Sequence, residues 1–75
     1  MSETVTVRKP IGRLARRYTG LRLPLQVLRS TAGYYIGTVG EDDIPCSRES
    51  EEYFTLPDEA TQALEDGNWT QRTTP

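Results

Sequence analysis

Apolar and polar positions change their spacing along the chain, and each change predicts an element. Between Pro10 and Gly20, Ile11, Leu14 and Tyr18 recur at helical spacing, with arginines on the other side. Pro10 suits a first helical turn and Gly20 a C-terminal cap. So short a helix is marginal without tertiary support, and Gly12 and Thr19 weaken it further. Residues 1–19 are therefore expected to be mobile, or to order on binding.

From Leu23 the period falls to two. Leu23, Leu25 and Val27 alternate with Pro24, Gln26 and Leu28, which predicts a strand that begins at Pro24 or lies at an edge. Ser30-Thr31-Ala32-Gly33 is a turn signal. Tyr34 to Val39 is rich in aromatic and β-branched residues and predicts a second strand, joined to the first as a hairpin. Gly37 inside it points to a bulge or a close backbone approach. After a polar loop from Gly40 to Pro45, a third strand over Cys46 to Phe54 carries so many polar residues that it reads as an edge strand with one wet face or as an irregular loop entering a short strand. Thr55 then caps a helix, with Pro57 in the first turn and Asp58 in the place of a capping-box acid. Leu56, Ala60, Ala63 and Leu64 form its apolar stripe, and Gly67 ends it. Trp69 is expected to fold back onto the narrow core.

The predicted class is α+β: a small antiparallel sheet of two or three strands with one C-terminal helix packed on a face, in the order β-β-β-α. A disordered basic arm (1–20) precedes a single small domain (21–72) and a tail (73–75).

Composition narrows the chemistry. The 75 residues hold one cysteine and no histidine. An intramolecular disulfide, a Cys/His zinc site and histidine-based nucleophile pairs are excluded. Lys9, the only lysine, sits in the arm, where a buried Schiff-base role is not expected. Neither a catalytic residue nor a cofactor or metal is predicted, so the chain reads as a non-enzyme. No apolar run is long enough to span a membrane, and the first residues lack the order of a signal peptide. With a lone thiol these features predict a cytoplasmic protein. A core this small supplies at most roughly 3–5 kcal/mol, so a partner, a homodimer or simply marginal stability is expected.

Charge is divided along the chain. Residues 1–29 hold seven cations against Glu3 alone, a net of +6, whereas residues 30–75 hold two cations against ten acids, a net of −8. Arg8, Lys9, Arg13, Arg16 and Arg17 suit nucleic-acid phosphate, although the acidic body repels the same polyanion; the alternatives are an arm that lies on the acidic body and a solvated tail.

The runs Leu23-Pro24-Leu25-Gln26-Val27-Leu28-Arg29-Ser30, Gly33-Tyr34-Tyr35-Ile36-Gly37-Thr38, Ser47-Arg48-Glu49-Ser50 and Gly67-Asn68-Trp69-Thr70-Gln71-Arg72 resemble a set of short proteins of proteobacterial plasmids, phages and integrated elements. The resemblance covers residues 23–72. It implies an accessory role in a mobile element: countering host defence, regulating transfer, or binding a host protein. It brings no catalytic residues.

Two functional readings follow. The first is a non-enzymatic protein-binding accessory module of a mobile genetic element, with inhibition of a host or defence protein as one form of that role. Its contacts are Tyr35, Arg48, Glu49, Glu51 and Glu52, because a polar patch beside tyrosines suits recognition. The bland counterpart is a solvated strand edge held by hydroxyl-to-backbone bonds. The alternative is a nucleic-acid-binding accessory protein acting through Arg8, Lys9, Arg13, Arg16 and Arg17. Of Tyr34, Tyr35 and Tyr53, at least one should be exposed. Cys46 reads as a small buried hydrophobe. The acids around residues 41–52 offer solubility or phosphate mimicry, without a calcium-loop pattern.

Overall fold

The computed structural model describes residues 10–74. Their elements run α1 (Arg13–Thr19), β1 (Gln26–Ser30), β2 (Gly33–Val39), β3 (Pro45–Arg48) and α2 (Pro57–Asp66). The strands form one antiparallel sheet in the order β1-β2-β3.

The hairpin forms where alternation and turn residues converge. Val27 faces Ile36 and Leu28 faces Tyr35, so apolar side chains meet across both faces of the β1–β2 pair. The Ser30 hydroxyl accepts the Ala32 amide at 3.2 Å and donates to the Gly33 carbonyl, fixing the turn. Thr38 and Val39 mark a register shift against β3, one residue beyond the glycine that suggested a bulge. A side chain at Gly37 would collide with the Ser47 carbonyl, so both features of the sequence reading occur here.

The third strand is shorter than residues 46–54. After Arg48 the backbone leaves the regular ladder: the amides of Glu49 and Ser50 both donate to the Ile36 carbonyl. Phe54 then bridges Tyr34, and Ser50 bridges Gln71. The C-terminal residues are thereby stitched to this segment: Glu51 N–H donates to the Thr70 carbonyl and Arg72 N–H to the Glu49 carbonyl.

The disordered arm and single-helix architecture need correction. Residues 13–19 form α1, and it packs against β3. The chain before it pairs with the chain after it. Gly12 N–H donates to the Leu23 carbonyl and Leu25 N–H to the Pro10 carbonyl, both at 2.9 Å. Gly20 ends the helix at φ 76°, a left-handed conformation that glycine adopts without steric cost. Leu14 and Ala15 are buried with Ile36, Ala60 and Ala63. The basic segment thus contributes to the core, which is the tertiary support that helical propensity alone lacked. Arg8 and Lys9 lie outside the described residues.

Helix α2 lies against β1 and β2 with Ala60 and Ala63 buried. Its N-cap is Leu56, not Thr55, and the Leu56 amide donates to Glu59 at 3.3 Å. Glu59 therefore takes the place predicted for Asp58, because the helix starts one residue later. Trp69 is half-buried, and Cys46 is exposed rather than buried.

Candidate functional site

A buried carboxylate sets the geometry around α1. The segment after β3 turns Glu49 inward until it is fully buried. Its oxygens accept the Leu14 amide at 3.0 and 3.1 Å and the Ala15 amide at 3.1 Å. They also accept the Ser47 hydroxyl at 2.6 Å and the Gln71 side-chain amide at 2.8 Å. Ser47 is joined to Thr38 at 2.6 Å. Burial pushes the Glu49 carboxyl up, but these hydrogen bonds outweigh it and hold the group below its ordinary range. Glu49 thus caps α1 from a position 35 residues away. Gly12 is required for this approach: a Cβ there would strike the Thr38 methyl and stand 2.7 Å from a Glu49 oxygen.

This latch brings α1 beside the C-terminal segment. Arg13 and Arg17, one helical turn apart, line a recess of about 310 Å³ together with Leu14, Gln71, Arg72 and Thr73. Arg13 and Arg17 are exposed, and neither forms an ion pair among the described residues. Arg72 is half-buried and meets Glu51 at 3.4 Å. Because Glu49 occupies the Leu14 and Ala15 amides, attraction for an anion here rests on the guanidinium groups rather than on the helix end. Arg16 and Arg22 are also exposed. Arg72 could not have been linked to α1 by spacing; the only sequence signal is that it is one of just two cations in the acidic half.

The polar and aromatic set is arranged differently. Tyr35 is buried and meets Tyr53 edge-to-face, with ring centroids 6.1 Å apart. Burial, then the neighbouring Tyr53, raises the Tyr35 pKa. The Arg48 guanidinium lies 4.0 Å from the Tyr53 ring centroid. It donates to the Ser50 carbonyl and the Tyr53 hydroxyl, both at 2.9 Å, and to the Glu51 carbonyl. Ser50 is fully buried; its hydroxyl accepts the Ile36 amide and donates to the Glu52 carbonyl. Glu52 accepts the Thr70 amide at 3.0 Å; burial raises its pKa, but the hydrogen bonds from Thr70 and the nearby Arg48 charge together lower it. Ser47-Arg48-Glu49-Ser50 is thus a framework of internal bonds. Of the five residues singled out for protein contact, Glu51 alone is exposed, while Arg48 and Glu52 are half-buried. Tyr53, which that set omitted, is 41% exposed.

A second groove, of about 560 Å³, runs beside α2 with Phe54 and Ala63 among acidic Asp58, Glu59 and Asp66. Among the described residues no group of His, Cys, Asp or Glu is placed to hold a metal, and no helix is long and apolar enough to cross a membrane. No protein-family model, curated protein or solved structure matches the chain.

Proposed function

We propose that the protein is a non-enzymatic accessory module that binds nucleic acid through α1 and the adjacent C-terminal segment. The observation that carries this reading is the convergence of Arg13, Arg17 and Arg72 on one recess. Guanidinium groups match phosphate bidentately and keep their charge at every physiological pH. Arg16 on the same helix and Arg22 just after it are exposed as well, and an ordered helix presents its charges without the entropy cost of fixing a loose arm. Placing that accessory role in a mobile element is part of the same proposal and rests on the resemblance read from residues 23–72 of the sequence.

The test is fluorescence anisotropy of the full chain with a labelled oligonucleotide over a salt series. Binding should weaken steeply with salt. The double variant Arg13→Ala/Arg17→Ala should lower affinity and reduce the log–log salt slope by about one per lost contact. Unchanged affinity and slope in that variant would remove the reading.

A second reading, a protein-binding module acting on a host or defence protein, is favoured by the groove beside α2. Its apolar floor and acidic rim suit a basic polypeptide, and Leu56 and Tyr53 are exposed close to its start in the chain. Capture of a host protein that survives Arg13→Ala/Arg17→Ala but is lost on Asp58→Lys/Asp66→Lys would favour this reading over the first.

A further inference from the structure

We propose that Tyr18 is a stacking platform for an unpaired base, which makes the α1 surface selective for single-stranded over duplex nucleic acid. The inference rests on the phosphate-contact reading above and names its substrate class. Helical spacing places Tyr18 four residues after Leu14 and three after Ala15, in line with the inward stripe. Those two residues are 3% and 1% exposed, yet Tyr18 is 54% exposed. Its ring is therefore not accounted for by the core.

Its surroundings suit a nucleotide. The Arg17 guanidinium lies 5.9 Å from the Tyr18 ring centroid. After the turn at Gly20, Leu21 is 50% exposed and is followed by exposed Arg22. Cations thus flank two exposed apolar side chains, the combination that binds single strands: charges track the backbone while aromatic faces take bases. A duplex offers the same phosphates but keeps its base faces stacked inside. The arginines then supply affinity for either form, and Tyr18 supplies the preference.

The experiment compares a labelled oligothymidine of about 20 nucleotides with a duplex of equal length, using the full chain and the variants Tyr18→Ala, Tyr18→Phe and Arg13→Ala/Arg17→Ala. Tyr18→Ala should weaken single-strand binding by about tenfold while leaving duplex binding and the salt slope unchanged. Tyr18→Phe, which keeps the ring, should bind as the parent does. Equal affinity of Tyr18→Ala and parent for the single strand would overturn the proposal, as would an equal loss on both substrates. If the arginine pair changes nothing while Tyr18→Ala weakens the single strand, the phosphate reading fails and the stacking proposal stands. Because Tyr18 is exposed, an unchanged urea midpoint for Tyr18→Ala separates lost binding from lost folding.

Discussion

At the scale of single residues, Glu49 concentrates the energetics. Among the described residues it has no ion-pair partner, and a buried carboxylate without compensation is costly. Four donor groups supply the compensation. Replacing it in Glu49→Gln turns an acceptor-only group into one that presents N–H to N–H, and should cost about 3 kcal/mol in urea unfolding. The pH dependence has a definite sign. The folded carboxyl titrates below its unfolded value, so its stabilisation is complete above the unfolded value and is lost as pH falls through the folded one. Urea midpoints taken from neutral to acid pH should fall for the parent and fall less for Glu49→Gln. Gly12→Ala should cost about 1–3 kcal/mol and speed hydrogen exchange at the Leu14 and Ala15 amides. Glu49 was hard to read in the sequence because it stands among acids, where a carboxylate normally faces solvent. The usable signal was that Ser47 and Glu49 alternate, which puts a hydroxyl and a carboxylate on one side of the strand.

At the scale of elements, what was legible depended on how locally each was determined. The β1–β2 hairpin is a neighbour contact, and its turn residues and alternation are contiguous in sequence. The body of α2 followed from its stripe and Gly67; its start lies one residue later than Thr55 predicts, which puts Glu59 rather than Asp58 at the capping-box position. Helix α1 showed its spacing and its stop at Gly20, but nothing nearby caps it. Its N-terminal amides are satisfied by a side chain from beyond β3, so its docking was invisible to any local rule. The consequence is testable. Removing residues 1–19 takes Leu14 and Ala15 from the core and leaves the Glu49 carboxylate without two amides. That truncation should abolish the cooperative thermal transition seen by circular dichroism, rather than leave a stable body without its arm. Point substitutions on the exposed side of α1 are therefore the informative way to examine its arginines.

At the scale of the whole molecule, the division of charge along the chain becomes only partly a division in space. Arg13, Arg16, Arg17 and Arg22 belong to the α1 end, and Asp58, Glu59, Glu65 and Asp66 to α2. Arg72 crosses the divide and joins α1, while its contact with Glu51 opposes an incoming phosphate. Glu51→Gln removes that competitor. Because an exposed pair is worth at most about 1 kcal/mol, the variant should bind an oligonucleotide up to about fivefold more tightly at low salt. No gain at any salt concentration would mean that Arg72 takes no part in binding.

The stitch between Gln71 and Glu49 also orders events in time. Leu14 leaves the ribosome long before Glu49, and Gln71, a donor to the same carboxylate, follows later still. Helix α1 is therefore made before its anchor, and docking it needs the long loop between Leu14 and Glu49 to close, an entropic cost that local helix formation does not carry. Until Glu49 has been made, the Leu14 and Ala15 amides lack the carboxylate that anchors them in the finished fold.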